Sequence, residues 1–399
     1  MNLINVAGHT TAEATLSVDA DGRQHLLVVF KATYRIPENG RPARPLLPPA
    51  PLAFSDDFVG EPGLSALWSE NDFAAVKEQC DVLFKAQAHS PDGRPVTRLD
   101  VAVRVGDLQK AISVVGDRVW EKDLFILRHS RPQAFVAMPL DYGRAFGGSP
   151  VYEDDGPPDP YPLNPFGQGY SRKPEAAGLH GRRLPNLEKP GRPVRRPDGS
   201  YHPEALSALP RTAPPRRDYA GTYDQNWRDN IAPFLPPDFD PRFFQSAPPD
   251  QQITPPIGGE PVSLINLMPG RPEVHFELPR LDTVPVRVLK RDLSVAEPAV
   301  RADTLFFEPD EGRFSVTWRT RCPLSFRGLR EVKTVVIGQI CSKWWEAVRR
   351  GAGGCQGCAE RVSFDKKPDH CPETPEEPAE GGGLMPEVSY DGRDAEDQS

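Results

Sequence analysis

The sequence has few cysteines, no long apolar run and no segment that resembles a targeting signal. Six cysteines in 399 residues do not make a disulfide scaffold. No apolar stretch approaches the ~20 residues that cross a bilayer. The N-terminal segment MNLINVAGHTTAEATLSV lacks the basic and apolar regions of a signal peptide. These absences favour a cytoplasmic protein with no membrane partner.

Common catalytic motifs are also missing. The chain contains no Gly-x-Ser-x-Gly elbow, no phosphate-binding loop, no Gly-x-Gly-x-x-Gly after a strand and no His-Glu-x-x-His. The remaining enzyme hypothesis is a β-rich hydrolase or carbohydrate-active enzyme that would use Asp238, Asp240 or His89. For Asp238 the sequence favours a turn-capping role beside Phe239. We therefore expect no catalytic residue and no cofactor.

One segment, CQGCAERVSFDKKPDHC, contains residue types that bind zinc. Its four potential ligands are Cys355, Cys358, His370 and Cys371. However, His370 and Cys371 are adjacent, which is an awkward geometry for two ligands of one ion. A better fourth ligand would have to be another cysteine, Cys322 or Cys341. We predict no metal site and keep zinc as the alternative.

Proline is abundant: 47 of 399 residues, about 12% against a typical ~5%. Twenty-two of these prolines lie between residues 151 and 260. The segment LPPDFDPRFFQSAPPDQQ, residues 235–252, combines five of them with three phenylalanines. Proline forbids a regular helix or a central strand, yet the interleaved rings argue against a solvated linker. We expect an ordered, irregular coat, which Phe239, Phe243 and Phe244 attach to the sheet.

Segments with strand character flank this coat. ATLSV and LLVVFKATYRI surround an Asp-Gly turn signal, and VTRLDVAVRVG alternates apolar and polar residues. Further strands follow residue 270, for example EVHFELP and RFSVTWRT. Short helices are expected at SALWSENDFAAVKEQ, WRDNI, PRFF and SKWWEAVRR. The prediction is a mainly β protein whose core is a β-sandwich or barrel-like sheet.

The domain prediction is a single unit over residues 1–371. Its β core comes from residues 1–140 and 270–340, the Pro-rich coat covers 141–269, and a short helix with the cysteine-containing segment covers 341–371. Two separate small β domains are the alternative. Residues 372–399 are expected to be a disordered acidic tail.

Charge is unevenly distributed. The net charge is −8, and residues 372–399, with nine acids and one arginine, carry all of it. The remaining body is neutral, which argues against nucleic-acid binding. Residues 171–217 hold eleven Arg or Lys and four acids. This local excess could meet an acidic partner or pair with the protein's own carboxylates.

Six unusual strings occur in order in the first two thirds of the chain: GDRVW (116–120), MPLDYGRAFGG (138–148), NPFGQGY (164–170), LPNLE (184–188), GTYDQNW (221–227) and LPPDFDPRFFQSAPPDQQ (235–252). This series resembles a bacterial family long catalogued only as a domain of unknown function. Genes of that family accompany type VI secretion components, and its members are regarded as adaptors or chaperones for effectors. The resemblance covers roughly residues 1 to 290.

The resemblance implies a non-enzymatic cytoplasmic protein that holds an effector, often one with a PAAR-like domain, and helps to load it onto the VgrG spike. Candidate client-binding or signature residues are Arg144, Phe146, Gly147, Gly148, Asn164, Gly167, Asn186, Glu188, Asp238, Phe239, Phe243, Asp250 and Gln251. Arg144 beside Phe146 is a combination favoured at protein interfaces. For Arg144, Asn164, Glu188 and Asp250, structural and client-binding roles both remain open at this point.

Overall fold

The computed structural model describes residues 1–351, except residues 39, 76, 124–125, 151–158, 173–178, 215 and 282–283. It is mainly β, with 39% strand and 12% helix, which confirms the predicted fold class. The zinc candidates Cys355, Cys358, His370 and Cys371 lie outside the described residues. The acidic segment 372–399 lies outside them as well.

In chain order, the described residues form the strands β1 (Asn2–Asn5), β2 (Thr10–Val18), β3 (Gln24–Arg35), β4 (Arg44–Pro45), β5 (Asp57–Phe58), β6 (Leu67–Ser69), β7 (Cys80–Phe84), β8 (Gln87–His89), β9 (Arg98–Val105), β10 (Leu108–Val115), β11 (Trp120–Asp123), β12 (Ile126–His129), β13 (Ala137–Pro139), β14 (Phe146–Gly147), β15 (Gln168–Gly169), β16 (Leu187–Glu188), β17 (Gln252–Ile253), β18 (Pro261–Met268), β19 (Arg271–Glu277), β20 (Val286–Lys290), β21 (Val295–Ala296), β22 (Arg301–Glu308), β23 (Arg313–Pro323) and β24 (Val332–Ile337). The α-helices are α1 (Arg216–Tyr219), α2 (Gln225–Asn230) and α3 (Ser342–Arg350).

The largest sheet has the order β17-β7-β22-β23-β3-β2, and β4 also pairs with β3. Its central strand β3 contains the run LLVVF, which is buried on both faces. Leu26, Val28 and Phe30 belong to the main hydrophobic cluster. Leu27 and Val29 point to the other face and contact Leu52. A continuous apolar run is the expected signature of a strand covered on both sides.

A second sheet, with the order β16-β10-β9-β18-β19, contributes to the same main cluster. The Phe276 ring of β19 lies 5.5 Å from the Phe314 ring of β23, centroid to centroid, so the two sheets are in direct contact. A third sheet, β1-β24-β20-β21, adds Val288 and Val335 to that cluster. No sheet within the described residues closes into a barrel. Of the two predicted core arrangements, the sandwich therefore describes the fold.

Strands from distant parts of the chain share these sheets. β1 pairs in parallel with β24, β7 pairs in parallel with β22, and β9 pairs with β18. β18 falls within residues 141–269, which were predicted to be irregular coat. This boundary was wrong, because β18 lies between β9 and β19 in the second sheet. Its alternation of buried Val262 and Leu264 with polar neighbours is a strand pattern.

The helix predictions had mixed outcomes. The helix in SKWWEAVRR is confirmed as α3, which ends at Gly351 in the left-handed conformation with φ 95°. Short turns of helix also occur at α2 and at the 3₁₀ segment Pro241–Phe244. The helix expected in residues 65–79 is wrong: β6 is followed by irregular chain there. The reason is tertiary, because Asp72 and Lys77 from this segment take part in buried ion pairs with the large sheet.

A row of polar residues crosses the large sheet on the face that the irregular chain covers. Lys31, Thr317, Thr304 and Asp81 are in register across β3, β23, β22 and β7. Three ion pairs lie along this row: Lys31–Asp72, Arg319–Asp303 and Lys77–Asp81. Burial raises the pKa of the Asp303 carboxyl, and the charge of Arg319 opposes this shift. Each buried carboxylate has a cationic partner, as the cost of burying an unpaired charge requires.

We predict that Asp81→Ala lowers the free energy of unfolding by about 3–5 kcal/mol, because it leaves the Lys77 ammonium buried without its partner. The control is Asp57→Ala. Asp57 pairs with Lys85 at 2.7 Å, with both side chains nearly half exposed, so its loss should cost under ~1 kcal/mol. Urea unfolding of the two variants checks the difference. Equal losses would contradict an energetic role for the buried row.

Candidate functional site

The string MPLDYGRAFGG (138–148) makes a capped turn followed by a short strand. The Asp141 carboxylate accepts a hydrogen bond from the Gly143 amide at 2.7 Å, which caps the 3₁₀ turn Tyr142–Arg144. β14 then pairs in parallel with β15 from the string NPFGQGY. Two of the six strings are thus joined directly by their backbones.

Glycines are required where these two strings touch. Gly147 has φ 151°, and a Cβ there would lie 2.2 Å from the carbonyl oxygen of Asn164. At Gly167 a Cβ would lie 2.4 Å from Asn164 Nδ2 and 2.5 Å from the carbonyl oxygen of Ala145. At Gly148, where φ is 114°, it would lie 2.7 Å from the Gly167 carbonyl oxygen. These glycines allow backbone to pack on backbone, which is a structural role.

Asn164 is fully buried and connects the same two strings. Its Nδ2 donates to the carbonyl oxygens of Tyr142 at 2.8 Å and Phe146 at 3.2 Å. Both acceptors belong to the turn and strand of MPLDYGRAFGG. The open choice for Asn164 is therefore resolved in favour of structure in this conformation, because a side chain with no exposed surface cannot meet a client.

Asn186 joins four of the six strings through one buried amide. Its Nδ2 donates to the Val115 carbonyl oxygen and to Asp117 Oδ1, each at 2.9 Å. Its Oδ1 accepts from Arg144 Nη1 at 3.1 Å and from Gln168 Nε2 at 2.9 Å. All four hydrogen-bonding positions of the amide are used. Replacing this residue would disconnect segments far apart in sequence.

Glu188 is buried and binds three donors. Its carboxylate accepts from Arg118 Nη2 at 2.9 Å, from Arg98 Nη2 at 2.8 Å and from the Val194 amide at 2.8 Å. Arg118 belongs to GDRVW and Arg98 to β9, so this carboxylate attaches LPNLE to the second sheet. Only 1% of the residue is exposed, so its carboxylate presents little surface to a partner.

Phe146 lies in a separate hydrophobic cluster rather than on a surface. Its ring makes an edge contact with Tyr161, with centroids 5.2 Å apart, and packs near Trp120 and Leu184. The expectation that Arg144 and Phe146 present a joint interaction surface is therefore wrong. Arg144 remains partly exposed and pairs with Asp117 at 3.1 Å.

The segment 235–252 is attached to the large sheet by polar side chains. Gln245 Nε2 donates to Asp81 Oδ1 at 2.8 Å, and the Ser246 amide donates to Asp81 Oδ2 at 2.7 Å. Gln251, fully buried, donates to the carbonyl oxygens of Val82 at 2.8 Å and Leu206 at 3.1 Å. The segment ends as β17, an edge strand beside β7.

The same segment also contacts the second sheet. Lys110 of β10 donates to Gln251 Oε1 at 2.9 Å and pairs with Asp250 at 2.9 Å. Gln251 thus bridges the two sheets, while Asp250 keeps 58% of its side chain exposed. Of the four residues with open roles, Asp250 is the one that remains most accessible to a partner.

The phenylalanines of this segment do not attach it to the sheet, which corrects the expectation. Phe239, Phe243 and Phe244 are half-buried and contact one another, with centroids 5.5–5.9 Å apart. The Arg216 guanidinium lies 5.3 Å from the Phe243 ring and donates to the Phe243 carbonyl oxygen at 3.0 Å. The rings stabilise the segment locally, and the amides and Ser246 attach it.

The residues of the enzyme hypothesis each have a local structural partner. Asp238 accepts from the amide and hydroxyl of Thr222, which lower the pKa of its carboxyl. A side-chain hydrogen bond from Arg242 lowers the pKa of Asp240. His89 Nε2 lies 2.6 Å from Asp310. No hydrogen bond joins His89 to either aspartate.

A cleft of about 600 Å³ lies where the strings LPNLE and LPPDFDPRFFQSAPPDQQ meet. Apolar surface predominates in its walls, and six charged residues also line it: Lys110, Glu188, Lys189, Arg192, Glu204 and Asp250. Burial raises the pKa of Glu204, and the nearby Lys110 opposes this shift. The residues that line the cleft are Lys110, Tyr142, Leu163, Leu187, Glu188, Lys189, Arg192, Val194, Tyr201, His202, Pro203, Glu204, Leu209, Pro214, Pro248, Pro249 and Asp250.

Sequence reasoning missed Lys110, Gln245 and Ser246. A signal for Lys110 was present: it is in phase with Leu108 and Ile112 on the alternating strand β10, so its side chain was due to point inward. Gln245 and Ser246 had no comparable signal, because their partner Asp81 is remote in sequence.

Two further properties of the described residues concern metals and membranes. No group of three or more His, Cys, Asp or Glu side chains among them could hold a metal ion. No helix found in this part of the chain has the length and apolar character needed to cross a bilayer.

These observations define a mainly β protein in which irregular, Pro-rich chain is attached to two sheets around a cleft. The chain belongs to the bacterial family described as "Uncharacterized protein conserved in bacteria (DUF2169)", whose family model matches residues 21–319. Comparisons with curated proteins and with solved structures found no match. Membership of a bacterial family of unknown function is confirmed, and the link with type VI secretion stays a prediction.

We predict that Gly167→Ala lowers the free energy of unfolding by about 1–3 kcal/mol or more, because the new Cβ would overlap Asn164 Nδ2 and the Ala145 carbonyl oxygen. Gly8→Ala is the matched control, since a Cβ at Gly8 meets nothing within 4 Å and neither glycine has a positive φ. Thermal and urea unfolding measure both. A harmless Gly167→Ala would show that the contact between the strings is loose.

We predict that Gln251→Ala destabilises the protein by about 2–4 kcal/mol, because the buried carbonyl groups of Val82 and Leu206 and the Lys110 ammonium each lose one hydrogen bond. The neighbouring Gln252→Ala is the control. Gln252 makes one side-chain hydrogen bond, to the Ala247 carbonyl oxygen at 2.8 Å, and its loss should cost about 1 kcal/mol. Losses of equal size in urea unfolding would refute the bridging role of Gln251.

Proposed function

We propose that this protein is a non-enzymatic adaptor or chaperone that binds a type VI secretion effector, often one with a PAAR-like domain, and helps to load it onto the VgrG spike. The observation that supports the proposal is the position of the family strings in the structure. Three of them line the 600 Å³ cleft, through Tyr142, Leu187 and Pro249. Two more, GDRVW and NPFGQGY, are bonded to Asn186 of LPNLE through Asp117 and Gln168.

Such a frame suits binding better than reaction. The buried amides Asn164, Asn186 and Gln251 fix several irregular segments relative to one another before any partner arrives. A surface held in its binding conformation loses less entropy on association. The cleft combines apolar walls with a few charged groups, which is the usual composition of a binding site.

The cleft best accommodates a short extended segment of the effector. The cleft is lined by Pro203, Pro214, Pro248 and Pro249 together with Tyr201. Grooves lined by aromatic side chains recur where proteins bind extended, proline-rich peptides. Asp250 at the margin provides an exposed carboxylate for orientation.

The enzyme alternative has less support. A general acid at neutral pH needs a raised pKa, whereas the pKa values of Asp238 and Asp240 are lowered by their hydrogen bonds with Thr222 and Arg242. His89 is already bonded to Asp310. In the adaptor, alanine at Asp238, Asp240 or His89 leaves secretion and effector toxicity intact, whereas an enzyme would lose them.

Co-expression with the effector, PAAR-like and VgrG products of neighbouring genes tests the proposal. We expect a stable stoichiometric complex in size-exclusion chromatography. Pro249→Trp, which places a large ring in the cleft, should weaken that complex at least tenfold. Pro91→Trp is the matched control, because Pro91 is likewise an exposed proline that begins a 3₁₀ turn.

Failure to bind any of these products would remove the adaptor function. A complex that Pro249→Trp leaves unchanged would keep the function and move its binding surface away from the cleft. A weakening by Pro91→Trp of the same size would show that the effect is not specific to the cleft.

A further inference from the structure

Eight of the eleven basic residues in 171–217 form two groups. One group is paired with the protein's own carboxylates. Arg172 pairs with Asp159, Arg211 with Asp56 and Glu70, Arg216 with Glu70, and Arg217 with Asp218. For these side chains the local charge is already compensated within the fold.

The second group lies on one loop, which we call the basic loop: Lys189, Arg192, Arg195 and Arg196. All four are exposed, and none makes an ion pair with a described residue. Arg192 donates to the Ser200 carbonyl oxygen at 3.2 Å and lies 5.9 Å from the Tyr201 ring. Four neighbouring cations with no ion pair to a described residue attract an anionic partner.

The backbone of the basic loop is held in place. The Val194 amide donates to Glu188 at 2.8 Å, and the Arg195 amide donates to the Tyr201 hydroxyl at 3.0 Å. Lys189 and Arg192 also line the cleft. The loop therefore presents its charges at a fixed position beside an apolar cleft, a combination that suits a peptide with both acidic and apolar side chains.

We propose that the cleft and the basic loop bind an acidic peptide, and that in the free protein this peptide is the chain's own segment 372–399. That segment carries nine acids and one arginine. Its part LMPEVSYD, residues 384–391, combines apolar residues with the acids Glu387 and Asp391. The apolar residues match the cleft walls, and the carboxylates match the basic loop.

The chain is long enough for this contact. α3 ends at Arg350, and the residues from there to 372 extend up to about 70 Å. A folded body of this length has a radius of gyration of about 20 Å. The segment therefore reaches any surface of the body.

Three carboxylates in the cleft restrict how the peptide lies, and one of them, Glu188, is compensated by Arg118 and Arg98. Asp250 is compensated by Lys110, while Glu204 repels a second acid. The peptide carboxylates therefore lie along the basic loop, and its apolar side chains lie toward Leu163 and Tyr201. This inference depends on the proposed function in one respect: an effector bound to the same cleft displaces residues 372–399.

A carbodiimide, which couples an amine directly to a carboxylate, tests the contact in the full-length protein without any effector. We expect Lys189 to couple to residues 372–399 within the monomer at least fivefold more often than Lys85 does. The yield should fall at least fivefold in 0.5 M NaCl, because salt screens exposed charges (on the order of a 4 Å screening length).

Charge reversal separates the basic loop from a general charge effect. The variant with Arg192→Glu, Arg195→Glu and Arg196→Glu should lose the Lys189 coupling at least fivefold. The control reverses three other exposed arginines, Arg301, Arg321 and Arg327, which changes the net charge equally and should leave the coupling unchanged. If the loop variant does not fold, a synthetic peptide of residues 380–397 is added to the unmodified protein and should lower the Lys189 coupling yield by competition. The same peptide with Gln and Asn in place of Glu and Asp should leave that yield unchanged.

Three results would overturn the proposal: a Lys189 yield no higher than that of Lys85, coupling that survives the loop reversal, or coupling found only between molecules. Since no effector is present, this outcome is independent of the adaptor experiment. A failed effector complex with successful coupling would remove the proposed function and keep the peptide site. A successful effector complex without Lys189 coupling would mean that the cleft binds the effector and not residues 372–399.

Discussion

The structure depends on one constraint: a proline-rich chain has too few amide donors to complete its own backbone hydrogen bonding, so buried side chains must supply the connections. Asp81, Asn186 and Gln251 do this. Each binds several groups from segments that are remote in sequence. Because an unmatched buried polar group costs about 1–3 kcal/mol, these connections permit few alternative arrangements. The irregular coat is thereby ordered without regular secondary structure.

The sequence predicted most of the β framework, because alternation and turn signals are local. Val101, Val103 and Val105 mark the buried face of β9 directly. It did not predict the loss of helix in residues 65–79, where Asp72 and Lys77 are bound by residues more than two hundred positions away. At the candidate site, the sequence strings identified segments that contact one another in the fold. They did not show which residues are buried, since the partners of Phe146, Asn186 and Gln251 become neighbours only in the folded protein.

Burial also changes the meaning of the family strings. Several of their most distinctive residues have no exposed surface, so the strings describe how the frame is built and not what it touches. The surface available to a partner comes from the exposed positions of the strings, such as Pro249 and Asp250, and from the basic loop. The same frame could therefore carry a different set of exposed residues.

The pairing of the first strand with the last has a consequence for biosynthesis. β1 and β24 are parallel neighbours, and β3 lies between β2 and β23 in the large sheet. A ribosome must therefore release nearly the whole chain before the third sheet or the large sheet is complete. Until β23 is released, the edge of β3 that pairs with β23 has no partner. Long-range pairing of this kind is slow to form and vulnerable to aggregation. Nascent chains of this protein should accordingly require protection until β23 and β24 emerge.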